Sequence, residues 1–407
     1  MKALVISNTC SDNEFKYIQS IKYTEKISPQ QNYFSMLIAG LEKNPEIDEI
    51  TCISARSIAE SNCAISKLEE KKEVISDKVS FLYTRVISKN VYRNINNAFE
   101  VFRAVQSYLN FHREQIDDVF AIIDPLAFDI TIGALMALKG IIKVGVITDI
   151  PVYIGEIGKY SGKLSKLKGY FKQKVFMKTV GSFQAYCYLT SAMTMISVNK
   201  PYCIIEGMAP CETTNETAPS GSDKKKVVLY AGGLYEKFGI NNLVKAASEI
   251  TEVEFELQLY GEGTSIEYIN EVHRCNPNII YMGVTSVEKI KFAERNATLL
   301  VNPRPCDEEY TKYSFPSKTL EYMSSGRPVL TTKLKGIPEE YYEYLYTINN
   351  NKVETIKRAL TEILCLPEYE LEQKGKNALC FVRENKNAES QSAKMIHMVE
   401  GLRNGTN

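Results

Sequence analysis

Short apolar runs alternate with amphipathic stretches along the first half of the chain. Apolar runs at residues 4–7, 79–83 and 119–123 have the length of buried strands. Between them, residues 31–43 and 92–112 carry apolar side chains at helical spacing. This alternation predicts a parallel, doubly wound α/β sheet. Further strands are predicted at 50–53 and 144–148, and a further helix at 130–139.

A polar segment at residues 211–226, rich in Thr, Ser and Lys, interrupts this alternation and predicts a linker. After it, strands at 227–230, 255–260, 279–281, 298–301 and 329–332 alternate with helices at 240–249, 265–274, 287–294 and 317–325. Residues 353–403 are mostly helical in pattern. We therefore predict two Rossmann-like domains facing a cleft, at 1–210 and 227–390, followed by a terminal helix and tail at 391–407.

Composition narrows the class of protein. The 407 residues have a formal net charge of zero, which argues against bulk nucleic-acid binding. The ten cysteines form no C-x-x-C pair, so reduced thiols in the cytoplasm are expected. No apolar stretch has the length of a membrane-spanning helix, and the N-terminal apolar run is too short for a signal peptide. Any membrane contact is therefore expected to be peripheral.

Several kinds of catalytic site are excluded because the chain lacks their sequence motifs. The chain has no G-x-x-x-x-G-K-[ST] phosphate loop, no H-E-x-x-H and no D-x-D. It has three histidines, too few and too scattered to favour a histidine-based metal centre or triad.

Two glycine-containing segments follow predicted strands of the second half. Gly232 and Gly233 precede Lys237 in the sequence Tyr-Ala-Gly-Gly-Leu-Tyr-Glu-Lys-Phe-Gly, and Gly261 and Gly263 flank a glutamate. Glycines at the carboxyl end of such strands let a phosphate approach the backbone, and the next helix offers its N-terminal amides. An ordinary strand–helix turn would show either pattern alone, and for the second segment the ordinary turn is the better interpretation.

The most informative string runs from residue 301 to residue 330. A strand ends at Asn-Pro-Arg-Pro and delivers Arg304 to a loop, and Phe-Pro-Ser-Lys then places Ser317 and Lys318 at the start of a helix. Glu321 lies on the same helix face as Lys318 at spacing i, i+3. A cation and a carboxylate at a helix N-terminus suit the phosphates and ribose hydroxyls of a nucleotide sugar. A surface Lys–Glu pair is the alternative.

With these segments in this order and spacing, residues 227–346 resemble the donor-binding domain of GT-B glycosyltransferases, closest to glycosyltransferase family 4. The resemblance implies a retaining transfer from a nucleoside-diphosphate sugar without a metal. Tyr313 stands where the family often has a first glutamate, and Gly233 where it often has arginine. A subset with the Phe-Pro-Ser-Lys signature shows the same departures, so we do not interpret them as inactivation.

In the first domain, the resemblance implies an acceptor-side site after a strand near the cleft. Asp149 occupies the expected position, with Thr148 where histidine is common, although a turn residue before proline is an equal alternative. We predict catalytic roles for Asp149, Lys237 and Lys318. Donor contacts are predicted for Gly232, Gly233, Gly261, Gly263, Arg304, Ser317 and Glu321.

Residues 159–178 form a basic segment without any acid, in which apolar residues interleave with the lysines. Such a segment suits anionic lipid, as in GT-B enzymes with polyprenyl-linked acceptors, although a solvated helix face would look alike. The lysines are Lys159, Lys163, Lys166, Lys168, Lys172, Lys174 and Lys178.

The reaction expected from the resemblance is transfer of a hexose-type sugar to a saccharide or lipid-linked saccharide in surface polysaccharide or glycoconjugate synthesis. It would occur in the cytoplasm or at the inner face of the membrane. Two alternatives keep the fold: a nucleotide-sugar epimerase, which the scarcity of histidines disfavours, and a non-catalytic binding or partner subunit, which Tyr313 and Thr148 leave open.

Overall fold

The computed structural model describes residues 1–23, 29–150, 174, 176–197, 199–209 and 225–405. The chain divides into two compact units. Unit 1 contains residues 1–208 together with 388–407, and unit 2 contains residues 209–387. The linker predicted at 211–226 lies mostly outside the described residues, although Lys226 already belongs to a strand.

The described part of unit 1 is built on an eight-stranded sheet with the order β10-β9-β8-β7-β1-β2-β5-β4. Its pairs are parallel except that β4 runs antiparallel to β5 at the edge. A short antiparallel pair, β3 with β6, lies apart. The strands are β1 Lys2–Ser7, β2 Glu49–Ser54, β3 Lys67–Leu68, β4 Lys71–Val74, β5 Val79–Tyr83, β6 Val86–Ile87, β7 Val119–Ile123, β8 Ile142–Ile147, β9 Ala185–Tyr188 and β10 Tyr202–Ile204.

Helices cover this sheet, and one of them comes from the far end of the sequence. Helix α11 (Ala388–Arg403) packs closely on α2 (Pro29–Lys43), since a Cβ at Gly40 would lie 2.0 Å from the carbonyl oxygen of Ala388. Unit 1 therefore takes its core from both ends of the sequence. Its helices include α1 Asp12–Ser20, α2 Pro29–Lys43, α3 Asn90–Phe111, α4 Phe128–Ala137 and α11 Ala388–Arg403.

The described part of unit 2 has a six-stranded, wholly parallel sheet with the order β13-β12-β11-β14-β15-β16. Its central strands are buried on both faces, which is why they read as continuous apolar runs. The strands are β11 Lys226–Ala231, β12 Phe255–Tyr260, β13 Ile279–Gly283, β14 Leu299–Asn302, β15 Val329–Thr332 and β16 Tyr346–Ile348.

The helices of unit 2 pack their apolar faces on this sheet. In α9, for example, Ile356, Leu360 and Ile363 recur at helical spacing and are buried in the core. The helices are α5 Ile240–Ser248, α6 Ile266–Cys275, α7 Val287–Asn296, α8 Ser317–Ser324, α9 Val353–Leu364 and α10 Glu368–Asn385.

The α/β class with two parallel-sheet domains is confirmed. The predicted sheet lacked the antiparallel edge strand β4, whose polar sequence Lys-Lys-Glu-Val carries little strand signal. No helix among the described residues combines the length and apolar character needed to cross a bilayer.

Candidate functional site

The candidate residues of unit 2 lie where neighbouring strands end. Strand β11 is central, with β12 on one side and β14 on the other, and all three run parallel. The loops after Ala231, Tyr260 and Asn302 therefore emerge at the same carboxyl edge of the sheet. Ligands of doubly wound sheets bind at this edge.

The two glycine segments are joined into one structure by backbone hydrogen bonds. The amide of Gly232 donates to the carbonyl of Tyr260 at 3.0 Å, and the amide of Leu234 donates to the carbonyl of Glu262 at 2.8 Å. The amide of Ser265 in turn donates to the carbonyl of Leu234 at 2.9 Å. The loop after β11 is thus held in place by the loop after β12.

This close approach explains why the second segment needs its glycines. A Cβ at Gly261, whose φ is +126°, would lie 1.9 Å from the carbonyl oxygen of Gly232. A Cβ at Gly263 would lie 2.1 Å from the carbonyl oxygen of Leu234. Packing of one loop on the other accounts for both residues, and their predicted contact with a donor stays a prediction.

Helix α8 is attached to the end of β11 by a buried tyrosine. The hydroxyl of Tyr322 accepts from the amide of Ala231 at 2.9 Å and donates to the carbonyl of the same residue at 3.2 Å. Because Gly232 follows Ala231 directly, this double contact ties α8 to the first glycine loop.

Lys318 and Glu321 form the ion pair expected from their spacing. The Nζ atom of Lys318 lies 2.8 Å from Oε2 of Glu321, and both side chains are partly exposed. Ser317 is exposed as the first residue of α8, after Pro316 at the N-cap. The pair, Ser317 and the N-terminus of α8 therefore lie together at the carboxyl edge.

Two further cations share one aromatic ring. The Nζ atom of Lys237 lies 5.3 Å from the ring centroid of Phe238, and Cζ of Arg304 lies 4.9 Å from it. The loops meet closely here, since a Cβ at Gly239 would lie 2.0 Å from the carbonyl oxygen of Pro303. The structure thus brings together Lys237 and Arg304, which are distant in sequence.

A buried carboxyl group that sequence reasoning missed lies behind the Lys318–Glu321 pair. Glu294 of α7 is 1% exposed, and its Oε1 atom has no hydrogen-bond partner within the described residues. Burial, reinforced by the charge of Glu321, raises its pKa to about 8. Its sequence signal is a charged residue four positions after Ile290, on the apolar face of the helix.

The carboxyl edge of unit 1 carries acids instead. Asp149 follows β8, its Oδ1 accepts from the amide of Ile150 at 2.7 Å, and burial raises its pKa. Asp124 follows the neighbouring strand β7, and Gln30 donates to its Oδ2 at 2.6 Å. Burial raises the pKa of Asp124 to about 7. An Asp-Pro step directly after a strand was the sequence signal for Asp124.

Of the basic segment at 159–178, only Lys174 and residues 176–178 are among those described. The lysines from Lys159 to Lys172 lie outside them. The predicted lipid contact of this segment stays a prediction.

Comparison with known proteins supports the fold of the chain and indicates a family that unit 2 resembles. Residues 225–365 match the family model described as Glycosyl transferases group 1. A search of curated proteins gave no match. Solved structures similar over the whole chain include sucrose-phosphate synthase from Thermosynechococcus elongatus, with 14% identity, 100% of both chains covered and a TM-score of 0.62.

Two other solved structures have a similar extent of likeness. An α,α-trehalose-phosphate synthase (UDP-forming) from Burkholderia xenovorans has 10% identity and a TM-score of 0.63, with 98% of this chain and 100% of that chain covered. The lipopolysaccharide outer core galactosyltransferase WaaB has 12% identity and a TM-score of 0.58, with coverage of 99% and 100%. Residues 225–365 are thus similar to the glycosyl transferases group 1 family, within a chain that has the GT-B fold.

Proposed function

We propose that this protein is a retaining glycosyltransferase that moves a sugar from a nucleoside-diphosphate sugar to a saccharide or lipid-linked saccharide. The family match supports the reaction class, because it spans both glycine loops and the Lys318–Glu321 pair. The similar structures include a sucrose-phosphate synthase, an α,α-trehalose-phosphate synthase and a galactosyltransferase. Polysaccharide or glycoconjugate synthesis at the inner face of the membrane is part of the proposal.

The observation that carries the proposal is the arrangement of charge at the carboxyl edge of unit 2. Lys237 and Arg304 both lie against the ring of Phe238, and Lys318 lies at the start of α8 beside Glu321. Cations and open helix amides favour the two phosphates of a nucleotide. A carboxylate such as Glu321 accepts hydrogen bonds from ribose hydroxyls.

In the proposed reaction, the bond between the sugar and the diphosphate breaks, and negative charge grows on the leaving phosphate. Lys237 and Lys318 would stabilise that charge more in the transition state than in the ground state. The proposal uses no metal and no protein nucleophile. A phosphate oxygen of the donor takes the acceptor proton, as the resemblance to family 4 implies. Asp149 is assigned to the acceptor side.

A thermal-shift screen against nucleoside diphosphates and their sugars tests the donor part of this proposal. A ligand that binds only the native state raises the melting temperature by mass action. We expect one diphosphate to produce a shift in the wild type and a smaller shift in Glu321→Ala. A screen in which none of them shifts the melting temperature would contradict the proposal.

A second experiment separates the transferase from its alternatives. A transferase without acceptor should slowly hydrolyse the donor that gives the thermal shift, so the nucleotide is released over hours. A binding subunit would show the shift without release. An epimerase would instead return a nucleotide sugar with one inverted centre, which chromatography resolves.

A further inference from the structure

Two neighbouring helices of unit 1 expose seven large apolar side chains: Phe111 at the end of α3, and six others. Ile95 and Phe99 are 72% and 56% exposed on α3, and Met136 is 60% exposed on α4. We call these six side chains the apolar patch: Tyr92, Ile95, Phe99, Phe128, Ile132 and Met136.

The members of the patch lie on one face of each helix. Tyr92, Ile95 and Phe99 have spacings of three and four residues on α3, and Phe128, Ile132 and Met136 are four residues apart on α4. Side chains with these spacings lie above one another along the helix surface. Each helix therefore presents one apolar stripe.

The two stripes are held next to each other by tight helix packing. A Cβ at Gly133 of α4 would lie 2.1 Å from the carbonyl oxygen of Ala98 of α3. Nδ2 of Asn97 also donates to Oδ2 of Asp129 at 2.8 Å. Phe99 and Ile132 are the sequence neighbours of the two residues in closest contact, so the stripes form one surface.

Helix α4 is apolar on both its inner and its outer side. Ile130, Thr131 and Ala134 are buried, while Phe128, Ile132 and Met136 face outward. A helix on the surface of a soluble protein normally carries polar residues on its outer side. An exposed apolar surface of this kind marks a place of interaction.

Positive charge borders the patch. Lys89 and Arg93 lie within one turn of Tyr92, Lys139 lies three residues beyond Met136, and Cζ of Arg103 lies 5.9 Å from the ring centroid of Phe99.

The acidic side chains of the same two helices are paired with arginines or hydrogen-bonded. The acids within residues 89–112 and 128–139 are Glu100 and Asp129. Glu100 is buried and paired with Arg85 and Arg103, and Asp129 accepts from Asn97. The exposed charge that borders the patch is therefore cationic.

We propose that the apolar patch is a docking surface for an anionic lipid bilayer. Aromatic and aliphatic side chains of α3 and α4 would enter the membrane interface. The bordering lysines and arginines would contact anionic headgroups with their charged ends, while their methylene groups lie along the apolar surface. A second copy of this chain fits less well, because a two-fold contact would bring these cations towards their own copies. The proposal adds a surface to the proposed function and does not depend on the transfer reaction.

The test is flotation of the full chain with vesicles of phosphatidylcholine and phosphatidylglycerol at a ratio of about three to one, compared with phosphatidylcholine alone. We expect binding to the anionic vesicles. The double variant Phe99→Ser/Ile132→Ser should bind them about tenfold more weakly or worse, because two inserted side chains are lost. Arg93→Gln/Lys139→Gln should reduce anionic binding towards the level seen with neutral vesicles.

The matched control is Phe292→Ser/Tyr369→Ser, which removes two exposed aromatic side chains from helices of unit 2. It should bind vesicles like the wild type. Wild-type binding by Phe99→Ser/Ile132→Ser would overturn the proposal and leave the basic segment 159–178, which that variant retains, as the contact. A concentration-dependent dimer dispersed by the same variant, without vesicle binding, would overturn it in favour of a second copy.

Discussion

The carboxyl edges of the two sheets have the same architecture and opposite chemistry. In unit 2, Lys237, Arg304 and Lys318 lie among glycine loops and the start of a helix. In unit 1, the corresponding edge carries Asp124 and Asp149, both with pKa values raised by burial. In the proposed function, the edge of unit 2 binds the diphosphate and the edge of unit 1 faces the acceptor. The parallel sheet supplies the position, and the side chains at the strand ends supply the function.

The most severe test of this comparison removes the cations of unit 2. Lys237→Ala and Lys318→Ala should each lower turnover at saturating donor by roughly a hundredfold or more. Each variant lacks a preorganised positive charge that stabilises the leaving phosphate in the proposed reaction. The loss of turnover should be larger because position 233 is a glycine, so no arginine at this position can replace the missing lysine charge. Steady-state kinetics measures the effect.

Lys245→Ala is the matched control, because Lys245 is an exposed lysine on α5 of the same unit. Its turnover should stay near that of the wild type. If Lys237→Ala and Lys318→Ala, checked as folded by circular dichroism, also keep near-normal turnover, then the diphosphate binds elsewhere.

The carboxylate of unit 2 should matter for binding. Glu321→Ala should weaken donor binding by about 1.5–3 kcal/mol, because a charge-assisted contact to ribose is lost. Titration calorimetry with the diphosphate found in the thermal screen measures this. Glu309→Ala breaks another Lys–Glu pair with spacing i, i+3 in the same unit and should leave binding unchanged. Equal affinities in the two variants would remove Glu321 from the site.

The contact between the glycine loops should appear as stability. Gly261→Ala should lower the free energy of unfolding by about 2 kcal/mol more than Gly140→Ala does, because its Cβ would collide with the carbonyl oxygen of Gly232. Both glycines have a positive φ, but a Cβ at Gly140 meets nothing within 4 Å. Chemical denaturation measures both, and equal losses would show that the loops can separate at no cost.

The smallest expected effect concerns pH and the buried Glu294. Its pKa is about 8 in the folded protein, and a glutamate in an unfolded chain titrates near 4.3, at about the value in water. Between these two values the folded state binds more protons, so the stability that depends on Glu294 falls as pH rises and is constant above about 8.

Glu294→Gln keeps the side chain neutral and similar in size. The stability of this variant relative to the wild type should therefore rise from pH 5 to pH 8 and then level off. Denaturation of both proteins across that range measures the difference. A difference that does not change with pH would mean that Glu294 titrates normally.

The strands and helices of both units could largely be predicted from the sequence, because burial on both faces leaves apolar runs such as Val119–Ile123 and Leu299–Asn302. The end of a strand then indicated Lys237, and the start of a helix indicated Lys318 and Glu321. The predicted roles of these residues await the kinetic and binding tests.

Other features depend on contacts between distant segments, which leave little local signal. The hydrogen bond between Tyr322 and Ala231 and the close backbone contact between Gly261 and Gly232 join segments that follow different strands. Glu294 shows only as a charged residue in an apolar position, and its approach to Glu321 follows from helix packing. Asp124 lies in an Asp-Pro step, which by itself is typical of a turn.

The origin of α11 has a consequence for how the protein is made. Met395, Ile396 and Val399 lie in the core of unit 1 with Phe34 and Leu37. The ribosome synthesises residues 209–387 before it reaches these side chains. Unit 2 can therefore complete its folding while the surface of α2 that α11 covers is still exposed. Domains usually fold in the order of synthesis. A stop codon at position 388 would therefore leave the later unit whole and cripple the earlier one.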